Sequence, residues 1–153
     1  MNAVNLADFL PESDVHLSLR GTTKDEILTE LTDHLDLGAD QTAAILKIVY
    51  HRESLGSTGI GHGLAIPHCR TPLVDRLRVI YGRQPAGAIF GGSDGQPVFH
   101  FFLLVAPPVE VSNDYLPVLG AIARLGRSSE VLEQLNQVQT AAEFVALLGG
   151  VKA

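Results

Sequence analysis

The sequence predicts an α/β or α+β layer fold built on a mixed β-sheet. Three observations carry that prediction. Segments of helical periodicity cluster toward the two ends of the chain, with strand-like segments between them. The run Val98–Ala106 is apolar at nearly every position, as in a strand covered on both faces. Two capping boxes, Thr23-Lys24-Asp25-Glu26 and Thr140-Ala141-Ala142-Glu143, open helices on either side of the strand region.

The elements follow in order. Asn5 to Phe9 reads as a short helix closed by Pro11, and Val15 to Leu19 alternates as a strand does. The first capping box opens a helix with Ile27, Leu28, Leu31 and Leu35 inward, ending near Gly38. Asp40 is the expected cap of a second helix running to about Leu55. Its apolar stripe is Ile45, Ile48, Val49 and Leu55. Leu64–Ile66, Leu77–Gly82 and Val98–Ala106 read as strands. Asn113 or Asp114 caps a third helix to about Leu125, Ser128 or Ser129 begins a fourth, and Thr140 opens the last.

Composition bounds the function. The 153 residues, 46% hydrophobic and 18% charged, are read as one domain, 1–153, with a substantial core. The net charge is −6 and the eleven basic residues are scattered, which argues against nucleic acid as a partner. Cys69 is the only cysteine, so no internal disulfide and no cysteine-rich zinc site can form. Met1 to Leu10 lacks the basic start and apolar core of a signal peptide. The longest apolar run, Phe99 to Pro108 broken only by His100, is too short for membrane insertion. The expected location is cytoplasmic.

Ser57 to Cys69 is the most informative segment. Three alternating glycines lead into Leu64-Ala65-Ile66, then Pro67 and His68. Ile66 is pushed toward extended conformation by the proline after it. Pro67 cannot donate to a ladder, so it belongs at a strand end or edge. His68 then emerges at the margin of a sheet, beside a glycine-rich loop. Two readings stand: a reactive imidazole, or a structural histidine after a buried strand. The glycine loop is neither G-x-G-x-x-G nor a Walker loop. Its amides could face an anion, or it is a turn with positive φ angles.

Arg52 lies seven, four and three residues from Ile45, Ile48 and Val49, on the same helix face. A guanidinium there is either an anion receptor or the partner of a carboxylate. A metal site at His62, His68, Cys69 and His100 finds no support in the spacing, since extended neighbours His68 and Cys69 point apart. Ser57 lacks a nucleophile elbow, and Cys69 reads as packing.

These residues carry a resemblance. Arg52-Glu53, then Leu55-Gly56-Ser57-Thr58-Gly59-Ile60-Gly61, then Leu64-Ala65-Ile66-Pro67-His68 resembles the phosphotransferase-system enzyme IIA domains of the mannitol/fructose class. The similarity is strongest to the stand-alone nitrogen-regulatory IIA proteins. Asp94-Gly95-Gln96-Pro97-Val98, the strand to Ala106-Pro107 and the helix Leu116 to Leu125 also resemble that family. The resemblance implies a mixed sheet flanked by helices on both sides. It implies a phosphoryl carrier that accepts phosphate on His68 from an HPr-type donor, with Arg52 holding the phosphoryl oxygens and Ser57 bonding the phosphate or the histidine. A IIB domain or a regulated target protein would receive the signal, without cofactor or metal. The family's second active-site histidine is replaced by Tyr115, and Cys69 stands where glycine or alanine is commoner. Tyr115 donates one hydrogen bond but cannot become cationic. The alternative is therefore a IIA-like binding or sensor module that regulates a partner without transferring phosphate.

Overall fold

Val98–Ala106 is the strand around which the rest of the sheet is built. The computed structural model describes residues 4–92, 94–110 and 112–151. In chain order the strands are β1 (Val15–His16), β2 (Gly59–Gly61), β3 (Leu64–Ala65), β4 (His68–Arg70), β5 (Arg78–Ala88) and β6 (Val98–Ala106). The helices are α1 (Lys24–Asp33), α2 (Ala39–Ser54), α3 (Tyr115–Leu125), α4 (Ser129–Gln137) and α5 (Ala141–Gly149). The sheet runs in the order β1-β5-β6-β3-β2, with β4 continuing past β3 along the same edge of β6. β6 is antiparallel to β5 and parallel to β3 and β4. β1 adds parallel to β5, and β2 antiparallel to β3. The sheet is mixed, as the sequence predicts.

Strand alternation divides the core. Val79, Tyr81, Phe102 and Leu104 pack on one face with residues of α3, α4 and α5. Ile80, Phe101, Leu103 and Val105 pack on the other with residues of α1 and α2. Helices therefore flank both faces, and β6 is apolar throughout because both its faces are covered. Each fully buried side chain of this kind contributes about 1.5–3 kcal/mol.

Both cap threonines accept from the third helical amide, and both glutamates reach back to the amide just before the cap, of Thr22 and Gln139. Glu26 N donates to Thr23 Oγ1 (3.4 Å), and Glu26 Oε1 accepts from Thr22 N (3.1 Å). Glu143 N donates to Thr140 Oγ1 (3.1 Å), and Ser128 Oγ caps α4 through Val131 N (3.2 Å).

Several boundaries differ from expectation. α1 ends at Asp33 rather than near Gly38, because Leu35 N and Asp36 N turn back to Thr32 O and Asp33 O and Asp36 takes a φ of 57°. β3 stops at Ala65 rather than Ile66, whose N–H goes to Thr58 O. β1 stops at His16: beyond it the Leu17 and Leu19 carbonyls accept from the Arg83 and Gln84 side chains, while Leu19 N still donates to Arg83 O (2.9 Å). β5 runs on to Ala88, past a register shift between Arg83 and Ala88 that accommodates Pro85. α2 starts at Ala39 after Gly38, with Asp40 in its first turn rather than at the cap. Leu55 leaves the predicted stripe: the helix ends at Ser54 and Leu55 is 72% exposed.

One buried polar pair lies within the core. The Tyr81 hydroxyl and His100 Nδ1 share a 2.7 Å hydrogen bond, and both residues are buried. Burial pulls the His100 imidazole from 6.5 down to about 4. Between those values the unfolded chain takes up a proton that the folded chain excludes, so stability falls as pH falls through that window. A depression of this size corresponds to on the order of 3 kcal/mol. Burial and the nearby His34 pull His16 to about 4 as well, with the same sign. In urea unfolding between neutral pH and the mid-4 range, the wild type should lose stability steadily. His100→Asn, which keeps a hydrogen-bonding group for Tyr81 without titrating, should show a flatter profile. Parallel profiles would refute the assignment.

Candidate functional site

Ala65 pairs with Phe101 and His68 with Leu104, so residues 65 to 68 keep pace with 101 to 104 along β6. β3 and β4 are thus one path along a single strand, interrupted at Ile66-Pro67. Pro67 has no N–H, and its carbonyl accepts from Leu104 N (2.9 Å). Ile66 N donates to Thr58 O (3.1 Å), while its carbonyl meets His68 Nδ1 at 2.7 Å. A carbonyl only accepts, so His68 carries its proton on Nδ1 and keeps the lone pair on Nε2.

Alternation then sorts the neighbours. Cys69 is buried in the core shared with α1 and α2, so His68 and Arg70 lie on the opposite face, toward α3. Tyr115, the first residue of α3, is buried there with its ring edge-on to His68, 6.3 Å between centroids. The Arg70 guanidinium stacks on the Tyr115 ring at 4.1 Å and donates to Pro107 O (3.1 Å). Arg52, half-buried in the last turn of α2, donates to Gly56 O (2.8 Å). Among the described residues it has no carboxylate partner; the ion pairs there are Lys24–Glu53 and Arg78–Asp14. Burial pushes the Tyr115 phenol up, and Arg70 and Arg52 both pull it down.

The structure thus sets the Tyr115 ring against His68 at one edge of the sheet, while Arg52 lies in the last turn of α2 with its guanidinium on Gly56 O. Ser57 is exposed, and its hydroxyl oxygen accepts from Gly59 N (3.1 Å) within its own loop. Its O–H proton is not used by that bond. The glycine run is a hairpin: β2 pairs with β3 around a turn in which Gly61, His62 and Gly63 have φ of 90°, 59° and 79°, and His62 N donates to Asp94 Oδ2 (3.3 Å). Gly59 is fixed by crowding, since a Cβ there would lie 2.6 Å from Gly92 Cα. Of the metal candidates, His62 is exposed in that turn and His100 is bonded to Tyr81. Burial pushes the Cys69 thiol up to about 11, which keeps it protonated at neutral pH. Among the described residues no three His, Cys, Asp or Glu side chains are placed to hold a metal ion.

Three residues escaped the sequence reading. Glu53 is buried, with its carboxylate accepting from Thr58 N (3.2 Å) and Thr58 Oγ1 and facing Lys24 Nζ (3.2 Å). It ties the glycine hairpin to both α2 and α1. A glutamate in a last helical turn reads as surface, so nothing in the pattern signalled this. Glu110 takes the capping role expected of Asn113 or Asp114: Tyr115 N donates to Glu110 Oε1 (2.7 Å), and the Asp114 side chain makes no cap bond. Arg70 was detectable by its spacing of two from His68, had β4 been recognised as a strand.

Comparison with known proteins places this geometry. Residues 8–150 match the family described as phosphoenolpyruvate-dependent sugar phosphotransferase system, EIIA 2. A nitrogen regulatory protein of Bradyrhizobium diazoefficiens is 30% identical over 144 residues, covering 94% of each chain. The crystal structure of nitrogen regulatory protein IIA-Ntr from Neisseria meningitidis superposes with a TM-score of 0.84 at 29% identity, over 94% of this chain and 98% of that one. The Escherichia coli mannitol IIA, solved in complex with phosphorylated mannitol IIB, shares the fold with a TM-score of 0.72 at 19% identity, over 93% of this chain and 98% of that one.

Glu53 gives the test of how the site is held. Glu53→Ala leaves the Thr58 amide without its partner, at a cost of about 1–3 kcal/mol. Urea unfolding should register that loss, and the amides of residues 57–61 should exchange faster with deuterium. Unchanged protection in this hairpin would show that Glu53 does not anchor it.

Proposed function

Because this chain belongs to the EIIA 2 family of the phosphoenolpyruvate-dependent sugar phosphotransferase system, we propose that it carries its phosphoryl group on His68 Nε2. It is a phosphocarrier homologous to nitrogen regulatory proteins, and a regulatory role fits it. A IIA-like module that no longer transfers phosphate is not favoured. The observation that carries the His68 assignment is the bond from Nδ1–H to the Ile66 carbonyl. It leaves one nucleophilic nitrogen, on a ring that cannot switch tautomer without losing a bond.

The step exchanges one P–N bond for another. The Nε2 lone pair attacks phosphorus while the bond to the donor's histidine breaks, and the donor imidazole keeps that electron pair. The His68 ring gains positive charge, which strengthens its bond to Ile66 O. Arg52 offers a planar fork to the phosphoryl oxygens, and the Ser57 hydroxyl one donor. Tyr115 adds a phenolic donor where the family has a second histidine. Transfer of this kind depends on positioning and charge compensation more than on covalent chemistry. The donor is an HPr-type protein and the working location the cytoplasm. A IIB domain or a regulated target is the acceptor, a reading supported by the mannitol IIA–IIB pair.

Incubation with phosphoenolpyruvate, the general phosphotransferase enzyme and an HPr-type donor should add the mass of one phosphoryl group. The adduct should be labile in acid and stable in alkali. His68→Ala should not be labelled; labelling at the wild-type rate would overturn the assignment. Arg52→Lys keeps charge but loses the fork, and should slow labelling ~10–100-fold in a folded protein. Native kinetics in that variant would remove Arg52 from the site.

A further inference from the structure

A phosphoryl group arriving on His68 brings negative charge to the edge of the sheet, and Tyr115 cannot answer it with positive charge. Arg70 can. It follows His68 by two residues on β4, so the two side chains rise from the same face. Its guanidinium is held in two ways, by the stack on the Tyr115 ring at 4.1 Å and by the bond to Pro107 O at 3.1 Å. The same ring stands edge-on to His68. The Tyr115 ring therefore packs against both the imidazole and the guanidinium.

Neither restraint neutralises the arginine. A ring face and a peptide carbonyl attract a cation without cancelling its charge. Among the described residues Arg70 makes no ion pair. Glu110, which caps the same tyrosine, spends Oε1 on the Tyr115 amide, and its Oε2 is buried without a hydrogen-bond partner. The one bond to Pro107 uses one of five N–H donors. The fold thus orders an exposed, unneutralised cation beside the nucleophile, an arrangement that a surface arginine with a solvated, mobile head would not show.

We propose that Arg70, positioned by the Tyr115 ring, is a second phosphoryl-binding cation that together with Arg52 brackets the group carried on His68. The inference rests on His68 being the phospho-acceptor. The Arg70–Tyr115 pair then divides between two residues what one cationic histidine does: the ring fills the space and the guanidinium supplies the charge. The stoichiometry of transfer is unchanged: phosphorus moves from the donor nitrogen to Nε2, and Arg70 neither gives nor takes a proton. Its charge is constant across physiological pH.

Rapid-quench labelling by an HPr-type phosphodonor separates the claims. Labelling of the wild type at His68, and its absence in His68→Ala, tests the underlying reading by itself. Given that result, Arg70→Gln should reach the same final stoichiometry with a rate constant at least ~10-fold lower. Arg70→Lys should recover part of that rate, and Tyr115→Leu, which removes the stack, should fall between wild type and Arg70→Gln. The phosphorus-31 resonance of the phosphohistidine gives a readout that altered folding alone does not supply. Its titration midpoint should move to higher pH in Arg70→Gln, because one cation beside the phosphoryl oxygens has gone. A wild-type rate and midpoint in Arg70→Gln would overturn the proposal. Equal loss in Arg70→Gln and Arg70→Lys with an unmoved midpoint would reduce Arg70 to packing.

Discussion

The site depends on a single interruption in hydrogen bonding along β6. A strand running beside β6 from Leu64 to Arg70 would ordinarily commit its amides and carbonyls to neighbouring strands. Pro67 breaks that commitment, since it has no N–H. The Ile66 carbonyl becomes available to His68 Nδ1, at 2.7 Å, while the register on β6 is kept on either side. The same residues that build the sheet edge therefore set the tautomer and direction of the imidazole. β6 holds this in place by being buried on both faces and paired on both edges.

In the proposed site, three pieces of chain supply groups for the phosphoryl carried on His68. Arg52 comes from the end of α2, Arg70 from β4 itself, and the Tyr115–Glu110 unit from the start of α3. Each is tied to backbone: Arg52 to Gly56 O, Arg70 to Pro107 O, and Glu110 to Tyr115 N. Backbone anchoring matters here because long side chains lose about 1.5–2 kcal/mol of rotamer entropy when they are ordered. Groups ordered before an anion arrives do not charge that loss to binding. The first amide of α3 is already taken by Glu110, so the helix terminus has given its leading donor to a carboxylate. In the proposed site the phosphoryl oxygens therefore fall to the arginines rather than to this helix terminus.

Much of this was legible in the sequence, for identifiable reasons. Long periodic segments and capping boxes located four of the five helix starts within a residue, and continuous apolarity located β6. Proline chemistry placed His68 at a sheet margin. What escaped was short or non-local. β2 and β4 are three residues each, too short to show a period, and the glycines of β2 read as loop. Glu53 and Glu110 look like surface acids, and their roles arise from partners contributed by other segments: Thr58 and Lys24 for one, the α3 amide for the other. Leu55 shows the opposite error, an apolar residue assigned inward by a period that had ended one residue earlier.

Missing β4 had a particular consequence. With His68 placed at a sheet margin and no strand assigned to residues 68–70, the spacing to Arg70 carries no meaning, and Tyr115 looks like a simple loss of charge relative to a histidine. Once residues 68–70 are a strand, the alternation puts Arg70 on the His68 face and Cys69 in the core. The tyrosine then has a physical reason to be aromatic, because a flat ring is what holds a guanidinium flat. A histidine in that place would change charge near neutral pH, whereas an arginine does not. If Arg70 takes the role proposed for it, the two arrangements differ in kind: a histidine couples phosphoryl binding to pH, and the arginine makes the charge a fixed property of the sheet edge.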